Sequence, residues 1–437
     1  MTRAERSPRI CRRDAIRLGA LAFGGIALPD LLRIAQAQGA TRQVRCRSVI
    51  QVSQGGGPSH IDMYDLKPHA PAEIRVEFRP IDTNVPGIHI SEHRPRQAHM
   101  FDKFAIIRSG TPEIPSHLPA SHFVQTGHPQ PRPSPQNTHP STGAVASRVL
   151  GARASGLPAF VAVPKPMSYG GAAYLGAAHN PFKVGSEPNS KDFHVASLAL
   201  EAGLTQDRLG IRHSLLKGFD QYRRDLDQHG ALEGIDAFSE EALNLVTSER
   251  AAKAFRLDEE PAELRERYGW TNVGQNCLLA RRLVEAGVTY VTCLSGGGWD
   301  THVNNFGELK NTTLPRFDQA VSALVADLAE RGLDKEVLVM AVGEFGRTPT
   351  INRDAGRDHW PSAMSMLLAG GGLKMGQMIG ATDPKAAYPI SEPHSPTDVL
   401  ATMYDAMGID VHAHFEDAAG RSIPILPHGE PIAALQS

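Results

Sequence analysis

The 437-residue sequence is poor in cysteine, in aromatic residues and in long apolar runs. Its four cysteines, Cys11, Cys46, Cys277 and Cys293, lie far apart, which excludes zinc-finger spacing and leaves no cysteine cluster for a redox centre. Cys293, in an apolar run, reads as a buried thiol. One disulfide stays open to the chain in an oxidising compartment. Gly55–Gly57 follows an apolar segment but lacks the spacing of a dinucleotide-binding loop. Aromatic residues make up 6% of the chain, so no sugar-stacking platform is evident. There is no basic excess either. Without residues 1–37 the balance is 38 basic against 44 acidic residues, a net of −6, which argues against a nucleic-acid partner.

The first 37 residues carry their own signals. Arg12 and Arg13 precede Ala15–Leu28, an apolar run too short to span a bilayer. Ala35–Ala37 (Ala-Gln-Ala) is a small-x-small cleavage site. Twin arginines before a weakly apolar stretch read as a Tat leader. The expectation is an exported or periplasmic protein with no membrane span once the leader is removed. Tat carries folded proteins, often already loaded with a cofactor, which favours a metalloprotein.

The remaining chain alternates short apolar strands with amphipathic helices, the pattern of an α/β fold. Strands are expected near Arg45–Val52, Phe104–Arg108, Pro158–Pro164, Val288–Leu294, Val337–Val342 and Met364–Leu368. Helices are expected at His93–Phe101, Thr142–Leu150 and Leu314–Arg331, the last capped by Thr312 or Thr313 with Pro315 in its first turn. Another runs from Ser395–Asp398 to Gly408. Residues 205–286 read mostly as helix and interrupt the alternation. They are expected to be an insertion within a single domain spanning 43–437. Val288–Leu294, the Leu314 helix and Val337–Val342 read as one βαβ crossover, and in open parallel sheets ligands bind beyond the carboxyl ends of the strands.

The candidate chemistry gathers there. Asp300 and His302 follow the first strand of the crossover, Glu344 directly follows the second, and Asp358 and His359 stand in a glycine-containing loop. Carboxylate plus imidazole suits zinc or manganese better than calcium. Together these residues predict a site for one or two divalent ions, which His60 with Asp62 would complete from the first strand's loop. For each residue the plainer alternative is a loop hydrogen bond or a salt bridge, such as Glu344 with Arg347. Arg347 and Arg108 are candidates for an anionic group, with a plain salt bridge the stronger reading for Arg108.

The words Gln54–Asp62 (Gln-Gly-Gly-Gly-Pro-Ser-His-Ile-Asp), Cys277–Val288, Trp299–His302, Gly343–Pro349 and Gly356–Pro361, with the twin-arginine leader, resemble an exported bacterial family known as domain of unknown function 1501. The order of elements is also similar to the alkaline phosphatase/sulfatase superfamily. That resemblance implies a three-layer α/β/α alkaline-phosphatase-like fold with a mostly parallel central sheet and a helical insertion. It implies a first metal on Asp300, His302 and His359, with Glu344 at a second. It also implies a nucleophile nine residues before Thr126 of the Thr126–Gly127 pair, which is His117, with Ser116 adjacent. The chain departs from the superfamily at Gln54, where a metal-binding Asp is usual, and at Phe345, where the second-metal His is usual. The function this implies is a metal-dependent hydrolase of phosphate or sulfate esters, acting on an anionic small molecule or glycan ester. In it His117 would be nucleophile or acid/base, and Arg347 would steady the anionic transition state. The alternative is a non-catalytic periplasmic relative that binds or assembles through the same cleft.

Overall fold

Alternate side chains of each apolar run face opposite ways, and both sets are buried. Along Val337–Val342, Val337, Val339 and Ala341 join one core, and Leu338, Met340 and Val342 join another. Ile50 and Val52 divide from Val49 in the same manner. A strand has a two-residue period, so a run apolar at every position must be covered on both faces. A computed structural model of the protein, describing residues 44–75, 77–130, 132–198 and 244–436, has this architecture. The expected leader, and the part of the expected insertion before residue 244, lie outside the described residues.

The central sheet has eight strands: β1 (Ser48–Ser53), β2 (Ala105–Gly110), β3 (Phe160–Val163), β4 (Phe182–Lys183), β5 (Tyr290–Leu294), β6 (Val337–Val342), β7 (Met364–Gly370) and β8 (Gln377–Ile379). Their order is β8-β2-β7-β6-β1-β5-β3-β4. β7 runs antiparallel to both its neighbours, and the other pairings are parallel. The principal helices are α1 (His117–Thr126), α2 (Thr142–Leu150), α3 (Asn272–Ala286), α4 (Leu314–Glu330) and α5 (Pro396–Ala406). α3 and α4 cover one face through Leu279, Leu283, Phe317, Val321, Leu324 and Leu328. α2 and α5 cover the other, with Ile425 and Leu426 of the C-terminal segment. The result is three layers, α/β/α. Among the described residues no helix is long and apolar enough to cross a membrane.

The expected βαβ crossover is present but spans an intervening strand, and two other local expectations change. β5 and β6 are not neighbours: β1 lies between them, pairing Val49 with Tyr290 on one side and with Leu338 on the other. The βαβ crossover therefore passes over β1. Helix α3 is no part of an insertion beside the sheet. It lies in the helical layer itself, and Asn276 Nδ2 donates to Leu294 O at the end of β5 (2.9 Å). Lastly, Thr313 caps nothing. Its backbone is helical, because a π-helical turn, Leu309–Thr313, joins a short helix directly onto α4. By contrast α5 starts with the expected device, a capping box of Ser395 and Asp398, and Gly408 follows it in the left-handed region. Cys46, Cys277 and Cys293 are all buried and unbridged.

Three histidines pack together, His122 of α1 with His128 and His139 from the chain that follows it. His122 Nδ1 donates to His128 O (2.9 Å), and the His128 and His139 rings stack 4.0 Å apart. Burial, then the neighbouring imidazoles, pushes His139 down from 6.5 to about 4. Burial lowers His122 and His128 too. These rings are neutral in the fold, whereas the unfolded chain takes up their protons below pH 6.5. Their contribution is complete above that pH and is lost as pH falls below it, for His139 over the range from 6.5 toward 4. His139→Gln is expected to flatten this acid limb of stability. Discounting for its half-exposed ring, the effect should be about 1–2 kcal/mol, read as denaturant midpoints at pH 7 and pH 5.

Candidate functional site

Because β1 sits between β5 and β6, the three loops leaving their carboxyl ends meet. Gly56 has φ +114°, and a Cβ there would lie 2.7 Å from the Asp300 backbone nitrogen. Only glycine lets the β1 loop approach the Asp300 loop this closely. Gly356 does the same in the loop carrying Asp358 and His359, where a Cβ would overlap His302 O.

Four side chains converge in the space so formed. His302 Nε2 lies 3.1 Å from Asp300 Oδ1, and His359 Nε2 lies 3.3 Å from the same oxygen. His117 Nε2 lies 3.4 Å from Asp300 Oδ2. The Nε2 atoms of His302 and His359 are 3.0 Å apart. Each ring is anchored at its other nitrogen. His117 Nδ1 donates to Glu344 Oε1 (2.8 Å), His302 Nδ1 to Asp358 Oδ1 (2.7 Å) and His359 Nδ1 to Pro115 O (2.9 Å). These partners are acceptors, so the protons sit on Nδ1 and the three Nε2 lone pairs point inward at a carboxylate.

Two facing lone pairs 3.0 Å apart repel unless a proton or cation lies between them. Donors about 2.1 Å from a tetrahedral ion are about 3.4 Å from one another, close to the spacings here. The donor set, three imidazoles and one carboxylate, thus suffices for a divalent cation, zinc best, with one imidazole to spare where a coordination position stays open. His117, Asp300 and His359 alone already bring their ligand atoms within 4.8 Å of one another.

The electrostatics follow the geometry. The hydrogen bond to Glu344 raises His117 above the usual imidazole range, against partial burial. Partial burial alone would raise the Asp300 carboxyl, but the Arg347 guanidinium outweighs it and holds the group below the usual carboxylate range. The His302 hydrogen bond lowers Asp358. Burial lowers His359, which keeps its lone pair available.

Several expected roles change. Glu344 and Asp358 are not placed as ligands. They hold His117 and His302 in the tautomer that offers Nε2, as carboxylates behind metal-bound histidines do. Nor does Glu344 pair with Arg347. Arg347 is fully buried, and its donors are taken by Gly57 O (2.7 Å), Arg357 O (3.1 Å), Gly56 O and Asp300. It cannot clamp a substrate anion; it fixes Asp300 and the glycine loop. His60 and Asp62 stand behind the site, fully buried. His60 Nε2 donates to Ala386 O (2.8 Å), while Asp62 accepts two bonds from Arg357 and one each from Ser59 and Asn305. Neither reaches the cluster. Arg108 donates to Gly380 O, away from the site. Ser116 is exposed, does not cap α1 and does not line the adjoining cleft. Phe345 packs its ring 5.0 Å from that of His117 and 4.4 Å from that of His359. It walls one side of the cluster with hydrocarbon.

A cleft of about 290 Å³ opens beside His117 and Glu344. Ser53, Leu294 and Val342 form its floor at the strand ends, and Ser121 and Gln125 continue the His117 face of α1. Met167 and Ser168 of the long loop after β3 form the rim. Sequence reasoning missed Ser121 and Gln125. The signal was present, since His117, Ser121 and Gln125 recur every four residues on one helix face.

Fold and site together define an α/β protein with a histidine–carboxylate centre at the carboxyl edge of its sheet. The chain belongs to the family described as "Protein of unknown function (DUF1501)", whose model matches residues 46–436. No curated protein matches it. Among solved structures it is similar to one titled "Crystal structure of Ps i-CgsB", at 9% identity and a TM-score of 0.39, over 84% of this chain and 73% of that one. The same protein "in complex with k-i-k-neocarrahexaose" matches over the same shares, at 10% identity and a TM-score of 0.33. Likenesses this distant carry no argument about function.

Proposed function

We propose that this protein is an exported, metal-dependent hydrolase of phosphate or sulfate esters. The observation that carries the reading is the convergence of three Nδ1-anchored imidazoles on Asp300 at the mouth of a cleft. Asp300, His302 and His359 would hold one divalent cation, most suitably zinc, leaving an open position as catalytic zinc sites do. A second ion finds hydrocarbon from Phe345 in its way.

Bound there, the cation would supply Lewis-acid polarisation of an ester oxygen and acidify a water. The chain's own residues would do the rest. His117 lines the cleft, and its Nε2 takes the water proton as general base. Glu344 keeps the Nδ1 proton and stabilises the imidazolium that forms, while Arg347 holds the Asp300 carboxylate in place. His117 is also the first residue of α1, so the positive end of that helix dipole lies beside an anionic ester.

The test is turnover of aryl phosphates and aryl sulfates by zinc- or manganese-loaded mature protein. His117→Ala is expected to keep the metal and lose about 10²–10⁴-fold in kcat. His302→Ala should lose metal and activity together. Full metal loading without turnover of either ester class would overturn the hydrolase reading and leave the cleft as a binding surface.

A further inference from the structure

A second cleft, of about 400 Å³, adjoins the first along the carboxyl edge of the sheet. Its lining includes Asn189, Trp270, Asn272, Ser295, the Gly296–Gly297 backbone and Arg316. The two clefts share a wall. Ser295 lines the second, Ser53 lines the first, and Ser295 donates to Ser53 O through both its amide (3.2 Å) and its hydroxyl (2.5 Å). The loop beginning at Ser295 then runs straight to Asp300.

Two features set this cleft apart. Trp270 is 53% exposed, unusual for an indole, and it is held in place from one side by the Arg265 guanidinium, 4.4 Å from the ring centroid. An exposed, pre-positioned indole presents a flat apolar surface of the kind that binds the apolar face of a ring. Arg316 is exposed and, among the described residues, has no ion-pair partner. The first cleft has no lysine or arginine in its lining. Gly296 and Gly297 have nothing within 4 Å of where a Cβ would stand, so their backbone is open to a ligand.

We propose that the Trp270–Arg316 cleft is a subsite for the neighbouring ring of an acidic oligosaccharide. The ring lies on Trp270 and its anionic substituent pairs with Arg316. The scissile ester of the same substrate lies at His117. The subsite extends the ester-hydrolase reading of the adjoining cleft and rests on it for the position of the scissile bond. It makes the preferred substrate a chain of at least two rings, with charge on the ring that is not hydrolysed.

The test is a titration of the metal-loaded mature protein with a panel of sulfated tetrasaccharides, from glycosaminoglycans and from galactans, each beside its desulfated counterpart. Binding is followed by calorimetry and by tryptophan emission. At least one sulfated member is expected to bind, and Trp270→Ala and Arg316→Ala should each weaken it about tenfold or more. Both side chains are exposed, so both variants should fold, which circular dichroism checks. Removing only the sulfate of the ring on Trp270 should cost as much in the wild type and nothing further in Arg316→Ala. If no panel member binds, or if Trp270→Ala binds as the wild type does, the subsite is overturned while turnover of small aryl esters can still stand. If aryl esters fail and Trp270-dependent binding persists, the hydrolase reading falls and the subsite remains.

Discussion

Replacing Asp300 and His359 together with alanine is expected to empty the centre, taking bound zinc or manganese from about one equivalent per chain to below about a tenth. The argument rests on counting donors. Asp300 is the carboxylate on which all three Nε2 atoms converge, and His359 is one of the facing pair 3.0 Å apart. Of the three residues proposed to hold the ion, the double variant leaves only His302, one donor where a zinc site needs three or four. Elemental analysis of the two proteins after identical loading and dialysis reads the result. A second readout is thermal stability. A cation at a hundred times its dissociation constant stabilises the native state by about 2.7 kcal/mol, so added metal should raise the wild-type melting temperature and not that of the variant. Equal metal in both proteins would show that the imidazoles converge for some other reason.

The second large effect is expected at a residue that touches no substrate. Arg357 and Asp62 are both fully buried and paired through two hydrogen bonds, Nε to Oδ2 at 2.9 Å and Nη2 to Oδ1 at 3.1 Å. The other guanidinium protons go to Thr348 O (3.1 Å), Ile74 O (3.0 Å) and Pro349 O. Arg357→Met would leave Asp62 charged in the interior with only Ser59 and Asn305 for partners. Breaking a buried pair from one side costs about 3–5 kcal/mol. The loss should appear as a large fall in denaturant midpoint, or as failure of the variant to accumulate. Asp62→Leu combined with Arg357→Met should recover part of it, because no charge is then stranded. The loop that follows carries Asp358 and His359, so metal affinity should fall in the single variant as well. A midpoint unchanged by Arg357→Met would mean that the pair contributes nothing net.

These two predictions mark where the sequence could be read and where it could not. Strands were legible from residues such as Val337–Val342, since an apolar residue at every position leaves little choice but a central strand. Which strand lies beside which was not. Nothing in the β5-to-β6 connection reveals that β1 sits between them. The site divides in the same way. Asp300–His302 and His60–Asp62 look alike on paper, each an acid and an imidazole two residues apart beside a glycine-rich loop. What separates them is Arg357, distant in sequence, which claims Asp62 and has no counterpart that removes Asp300 from the cluster. Glu344 and Asp358 were legible as members of the site, but their place behind the histidines depends on which ring nitrogen each one meets. The exposure of Trp270 was invisible in a composition of 6% aromatics.

The central position of β1 also governs when the site can form. Ser48, where that strand begins, donates to Val288 O, 240 residues further along the chain, and the strand's other partner, β6, is later still. A sheet whose middle strand must wait for partners this remote has a high contact order and closes slowly. Until residue 342 has been synthesised, β1 lacks a complete pair of neighbours, and the loop holding Gly56 has nothing to settle against. The histidine–carboxylate pocket is therefore a late product of folding. A chain shortened before β6 would carry an open, apolar strand edge, prone to aggregate, in place of a complete sheet.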